Sequence, residues 1–286
     1  MHSRLVSLIF ALVLPVSAGA ETLELIGQFD LESDSFFGIS GIEVSDDGSQ
    51  FMAVADRGWW ISGSFFREDE QISGISDLSV LPILDYDGLP VSARRVGDLS
   101  DAEGLAMLPD GRIWVTFERW ARVARYDVVP GKASWIKDHP TFYDHSDNWQ
   151  LEAVAVDPDG QVFAFSEKPF IEGFPIYRLA GETWVIDGYL PEQDVFAIVG
   201  ADFDENGDLY LLERKLVFGI WWQNRVRRVR LGGNEDLVLW TGERDQFENL
   251  EGISVWRDEK GLRMTLVSDN NRKEKPTQFV EFRLTD

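Results

Sequence analysis

The sequence contains no cysteine. Disulfides, thiolate nucleophiles and cysteine-bound zinc are therefore excluded, and the fold must hold by packing alone. Histidine is nearly as scarce, at three residues. Positive charge is also short: 27 Lys and Arg stand against 50 Asp and Glu, for a formal net charge of −23. A chain this acidic repels phosphate backbones, so no nucleic-acid partner is expected. It favours cations, whether metal ions or cationic partners, and the same charge also confers solubility. No apolar run after residue 20 reaches the roughly 20 residues that a membrane-spanning helix needs. A Gly-x-Ser-x-Gly elbow and a phosphate-cradling glycine loop are both missing, so neither an α/β-hydrolase triad nor a P-loop has support.

What is present is apolar and aromatic material, 44% hydrophobic with 11 Trp, enough for a full core. The first 20 residues, MHSRLVSLIFALVLPVSAGA, combine basic Arg4, an apolar run over 5–16 and an Ala-Gly-Ala end. That pattern predicts a secretory signal peptide cleaved after Ala20. Its apolar run is too short to span a bilayer. Removal of Arg4 with this segment takes the net charge from −23 to −24. Residues 21–286 are expected to form a single monomeric domain, periplasmic or secreted.

Five segments repeat one pattern: SGIEVSDDGSQFMAVADRG (40–58), AEGLAMLPDGRIWVTFERW (102–120), LEAVAVDPDGQVFAFSEKP (151–169), VGADFDENGDLYLLERK (199–215) and LEGISVWRDEKGLRMTLVSDNN (250–271). Each reads as strand, glycine-containing tight turn, strand. No long run has helical periodicity. Glu103, Glu152 and Glu251 fall 49 and 99 residues apart, with the missing member placed near Asp202, so the period is close to 50. Short strands repeating at that length predict an all-β fold, a β-propeller of four-stranded blades. The runs 122–129, 174–188 and 225–242 supply outer strands. Residues 22–31 are expected to close the ring beside 277–286. The long first interval, with extra strand-like sequence at 75–88, favours six blades, one degenerate, over five.

Hairpin geometry explains why acids recur. The start of each first strand lies beside the end of each second strand. Glu103 is thus predicted close to Glu118, and Glu152 close to Glu167, at the open ends of the inner hairpins. One propeller face would then also collect Glu43 and Asp56, Asp202 and Glu213, and Glu251 and Asp269. Carboxylates so crowded stay ionised only with cations among them. The second acids are followed by bases, Arg57, Arg119, Lys168 and Arg214. Such a ring suits a divalent cation together with an anionic substrate, and hard oxygen ligands favour Ca²⁺ or Mg²⁺ over zinc. The same acid–base pairs would serve equally as struts between blades.

Asp56-Arg57-Gly58, Glu103-Gly104-Leu105, Pro109-Asp110-Gly111, Glu118-Arg119, Leu151-Glu152-Ala153, Glu213-Arg214, Asn249-Leu250-Glu251-Gly252-Ile253 and Ser268-Asp269-Asn270-Asn271 resemble the bacterial secreted phytase-like family, labelled by its esterase-like activity of phytase. The likeness runs from about Phe36 to Leu284. It implies an extracytoplasmic propeller and a hydrolase of phosphate or carboxylic esters that depends on calcium. Two departures stand out: Glu152-Ala153 where Glu-Gly is expected, and Ala201-Asp202 in the fourth hairpin.

The resulting expectation is an ester hydrolase with catalytic Glu103, Glu152 and Glu251. Ca²⁺, with Mg²⁺ second, would sit on those three and Asp269. A small anionic ester would be held by Arg57, Arg119, Lys168 and Arg214. A non-enzymatic binding propeller and a lactonase-like calcium propeller are the alternatives, since one acidic ring serves all three. His139 and His145 are read as an exposed polar loop, residues 202–213 as a hairpin turn rather than a calcium loop, and the Trp and Phe residues after the second strands mainly as packing, with a pocket wall as the other use.

Overall fold

The computed structural model describes residues 21–33, 36, 38–93, 99–144, 151–270 and 275–285. The predicted signal peptide, His145 and Asn271 lie outside them. The described residues form strands joined by turns and two short 3-10 segments, in five four-stranded antiparallel sheets.

The first blade holds β2 (Ile39–Val44), β3 (Gln50–Ala55), β4 (Trp59–Glu68) and β5 (Gln71–Pro82). The second holds β6 (Ala102–Met107), β7 (Ile113–Phe117), β8 (Arg122–Tyr126) and β9 (Ser134–Trp135). The third holds β10 (Leu151–Val156), β11 (Val162–Ser166), β12 (Phe174–Ala180) and β13 (Thr183–Leu190). The fourth holds β14 (Ala197–Phe203), β15 (Leu209–Val217), β16 (Trp221–Val229) and β17 (Asp236–Thr241). The fifth combines β18 (Asn249–Asp258), β19 (Gly261–Asp269) and β20 (Thr277–Thr285) with β1 (Thr22–Leu31), which pairs with β20 from Thr22↔Thr285 to Leu31↔Thr277. The two ends of the chain thus close the ring, as the sequence predicts.

Five blades correct the preference for six. The strand-like sequence after residue 75 is the outer strand of the first blade: β5 runs from Gln71 and pairs with β4 from Glu68↔Gln71 to Trp59↔Pro82. The long interval is a long outer hairpin followed by a connector, not a further blade.

Each turn follows from its residues. At Leu108-Pro109-Asp110-Gly111, proline presets the first turn angle and Gly111 adopts φ 86°, a region a Cβ disfavours. Gly111 N donates to Leu108 O at 2.9 Å and Leu108 N to Arg112 O at 2.8 Å. Apolar side chains then fill the five gaps between blades. Val54 and Trp60 of the first blade meet Val115 and Tyr126 of the second, while Trp114 of the second meets Val154 and Tyr177 of the third. Phe163 faces Phe203 across the third gap, Leu212 faces Ile253 across the fourth, and Phe279 faces Phe51 across the fifth. The inner strands are buried on both faces, which explains why they read as continuously apolar rather than alternating.

The innermost strands, β2, β6, β10, β14 and β18, meet around the axis. Glycine sets how closely. A Cβ on Gly41 would lie 2.8 Å from Glu103 O, on Gly104 2.6 Å from Glu152 O, on Gly200 2.6 Å from Glu251 O, and on Gly252 2.8 Å from Ser40 O. Each glycine presses on the backbone of the next blade. The third blade carries Ala153 at this position and still closes the ring. The cavity left at the axis is only about 10 Å³.

Candidate active site

Every inner strand carries a β-bulge at the same place. The register jumps between Ile39 and Gly41, Ala102 and Leu105, Leu151 and Ala153, Ile198 and Gly200, and Leu250 and Gly252. The bulge frees one residue per blade from the ladder and re-aims it. That residue is Ser40, Glu103, Glu152, Val199 and Glu251 in blade order. At the end of the paired second strand, one position beyond Ala55, Phe117, Ser166, Glu213 and Ser268, stand Asp56, Glu118, Glu167, Arg214 and Asp269.

These two rings define a pocket of about 370 Å³ on one face of the propeller. Asp56, Asp101, Glu103, Glu118, Glu152, Glu167, Glu251 and Asp269 line it, together with Arg119, Arg214, Asn249 and Trp222. The expected site acids Glu103, Glu152, Glu251 and Asp269 are therefore brought together. Of the expected cations, Arg214 and Arg119 line the pocket. Lys168 stands beside it, with Nζ 3.6 Å from Glu167 Oε1. Arg57 is exposed and is not among the lining residues.

Three acids expected on this face lie elsewhere. Glu43 and Asp202 sit beyond the bulge toward the tight turns, where they line a separate cavity with Met107 and Val255. Glu43 Oε1 accepts from Met107 N at 3.0 Å and Asp202 Oδ2 from Val255 N at 2.6 Å. Glu213 is fully buried inside the fourth blade, held by Arg225 and Arg227 of β16. Counting acids from the turns misses the bulge. The glycine that follows the bulged residue marks the true alignment: Ser40-Gly41, Glu103-Gly104, Val199-Gly200, Glu251-Gly252. The same signal would have found Ser40 and Val199. Asp101 carries no such mark and was not anticipated.

The pocket is buried and crowded. Glu152 is 4% exposed and Glu103 8%. Burial, then the charges of Glu152 and Asp56, drive Glu103 well above the usual carboxylate range. Burial, then Asp269 and Glu251, do the same to Asp56. Burial, then Glu167, raise Glu152, against the pull of Arg214. Glu118 is pushed up to about 8 by burial and by Asp101 and Glu167. Burial and mutual repulsion thus oppose the charged form of these four carboxyls.

Arg214 partly offsets the repulsion. Its Nη1 donates to Asn249 Oδ1 at 2.7 Å and to Glu251 Oε1, and its Nη2 lies 3.6 Å from Glu167 Oε1. Burial disfavours its charge, but Glu251, Glu152 and Glu167 outweigh that and hold the guanidinium above its ordinary value. Asn249 Nδ2 donates to Glu251 Oε1 at 2.7 Å, and Ser40 Oγ lies 2.7 Å from Asp56 Oδ1 and 3.1 Å from Glu251 Oε2.

The donor set fits a hard divalent cation. Asp56–Glu103–Glu251, Asp101–Glu103–Glu118 and Glu118–Glu152–Glu167 each offer three ligand atoms within 4.8 Å of one another. Two oxygens on one Ca²⁺ lie at most about 5 Å apart. His139, by contrast, has a structural place: Nδ1 accepts from Thr141 N at the start of the turn Pro140–Tyr143, and Thr141 Oγ1 lies 2.8 Å from Tyr177 Oη.

A family model described as phytase-like, with esterase-like activity of phytase, matches residues 34–272. The chain belongs to the phytase-like family. No curated protein matches it. Among solved structures, the catalytic domain of a Coprinopsis cinerea α-L-arabinofuranosidase is similar at TM-score 0.54 and 12% identity, with 92% of this chain and 97% of that one covered. The Podospora anserina α-L-arabinofuranosidase in complex with cellotriose is similar at TM-score 0.50 and 13% identity, with 93% and 97% covered. At such identities these likenesses speak for the fold of this phytase-like propeller alone. No helix among the described residues is long and apolar enough to cross a membrane.

Proposed function

We propose that this phytase-like propeller hydrolyses phosphate or carboxylic esters at its acidic mouth, with a divalent cation, Ca²⁺ first and Mg²⁺ second. One observation carries the reading: eight carboxylates and two guanidinium groups line a single pocket, in overlapping triads of cation-binding dimensions. Glu103, Glu152, Glu251 and Asp269 would hold the cation, with Asp56 completing one triad. When bound, the cation would polarise the ester and lower the pKa of a coordinated water. Arg119 and Arg214 would orient the anionic group by charge-assisted hydrogen bonds. Glu118, across the ring beside Glu167, would carry protons between the site and bulk water. The residues that precede Glu21 support a periplasmic or secreted location, and the substrate is read as a small anionic ester bound by a monomer.

The test is hydrolysis of phytate, a chromogenic phosphoester and a chromogenic carboxylic ester, with Ca²⁺ and with chelator, in the protein and in Glu103→Gln. Calcium-dependent turnover that falls at least 100-fold in Glu103→Gln is expected. Calcium binding without turnover would favour the binding propeller. Lactone hydrolysis alone would favour the lactonase-like alternative.

A further inference from the structure

The fourth blade departs from the others just above the pocket. In the first two blades the second and third strands last pair at Ala55↔Trp59 and Phe117↔Arg122. In the fourth, the equivalent pair is Glu213↔Arg225, and pairing continues through Arg214↔Asn224 and Leu216↔Trp222 to Val217↔Trp221. At about 3.3 Å per residue, four more pairs raise this hairpin roughly 13 Å beyond the point where the others turn.

Side chains of a strand alternate, and directly paired residues share a face. Arg214, Leu216 and Trp222 therefore lie on one face of the hairpin, and Arg214 and Trp222 line the acidic pocket. The Arg214 guanidinium sits 5.1 Å from the Trp222 ring. Leu216, opposite Trp222, is 49% exposed. On the other face, Lys215 Nζ lies 4.2 Å from the Phe196 ring, while at the hairpin's tip Phe218 and Trp221 pack edge-on against each other at 6.3 Å. The loop after β17 braces the base, with Asp245 N donating to Trp222 O at 2.8 Å and Gln223 Nε2 to Gly242 O at 2.9 Å. The hairpin thus forms a wall beside the pocket, braced at its base.

Its chemistry is one-sided. The fourth blade brings no carboxylate to the two rings: it has Val199 and Arg214, whereas every other blade carries at least one acid there. An anionic group is repelled by the carboxylates of the other four blades and attracted at Arg214, with Arg119 as the second cation of the lining. From there, Trp222 and Leu216 offer the apolar surface on the hairpin's pocket face.

We propose that the Trp222–Leu216 pair is a subsite for the apolar or aryl body of an amphiphilic ester whose anionic head lies against Arg214. This rests on the hydrolase reading and narrows it: a densely charged polyphosphate such as phytate would leave the wall unused. Aromatic surface so placed binds flat apolar groups by area and by ring geometry.

The test compares KM for 2-naphthyl phosphate and glycerol 2-phosphate with Ca²⁺, in the protein, in Trp222→Ala and in Leu216→Ser. Calorimetry with non-hydrolysable 2-naphthylphosphonate provides a readout free of turnover. Leu216 is exposed, so its variant keeps the test valid should Trp222→Ala fold poorly. A naphthyl KM about tenfold below the glyceryl KM, with the ratio falling toward one in either variant, is expected. Equal KM values, or a ratio unchanged in both variants, would overturn the subsite while leaving the hydrolase intact. If neither ester turns over, the hydrolase reading fails. Naphthylphosphonate binding that weakens about tenfold in Leu216→Ser would then still support the wall, and no binding would overturn it.

Discussion

Four blades contribute acids to the mouth; the fourth contributes a cation and a tryptophan. The inner strands share one backbone plan, with a bulge in each of the five blades and a close glycine approach to the neighbour in four. The side chains at the two ring positions are not: Ser40 and Asp56, Glu103 and Glu118, Glu152 and Glu167, Val199 and Arg214, Glu251 and Asp269. A repeat that served only to lock blades together would have little cause to invert charge in one copy. The inversion gives a nearly symmetric ring a direction.

Removing the inversion should have the largest effect. Arg214→Met leaves Glu251 and Glu167 without their guanidinium partner, and breaking a buried pair in this way costs about 3–5 kcal/mol. Urea unfolding at neutral pH would measure it. A loss below about 1 kcal/mol would show the fourth blade to be electrostatically equivalent to the rest.

The shared backbone is tested next. Gly104→Ala places a methyl group 2.6 Å from Glu152 O and from Thr116 Oγ1, so strands β6 and β10 must part, at a cost of about 2 kcal/mol. Ala153→Gly, at the blade that tolerates a side chain, should cost about 1 kcal/mol or less. Equal losses would mean that close approach does not set the ring.

Acidity gives a third test. Glu118 ordinarily titrates at 4.5 and is held at about 8 in the fold, so the folded state binds its proton more tightly. That stabilisation is complete below pH 4.5 and is lost as pH rises toward 8. Asp258, held low mainly by its hydrogen bond from Arg283, works in the opposite sense, but only at acid pH. Chelator-treated protein should therefore melt at higher temperature near pH 5.5 than near pH 8.5, and Ca²⁺ should narrow the gap. A melting temperature that rises with pH under chelator would contradict the crowded-ring account.

The smallest effect belongs to Arg57. It is exposed and outside the pocket lining, so Arg57→Ala should change stability by no more than about 0.5 kcal/mol and leave KM within twofold.

The architecture was legible in the sequence because turns and apolar runs are local signals. Pro109-Asp110-Gly111 announces its hairpin without help from the rest of the chain, and five such hairpins at near-equal spacing leave few folds open. Blade number was harder, because β5 is long enough to resemble part of another blade. The convergence of acids was legible where the bulged residue is itself the acid, at Glu103, Glu152 and Glu251. It was misread where an acid of the same strand stood three residues later, at Glu43 and Asp202, since a bulge changes which residues face the axis without altering composition. Glu213 and Arg214 show the same sensitivity: a shift of one residue sends the glutamate into the blade and the arginine into the mouth. Asp101 enters through the approach to its strand, which no local pattern marks.

The tight axis has an electrostatic consequence. About 10 Å³ is at the lower limit for a single water, so the described inner strands leave almost no free space at the axis. The inner strands then hold the acidic mouth and the cavity of Glu43 and Asp202 apart. The acidic mouth and the Glu43–Asp202 cavity are thus separate electrostatic compartments of one fold.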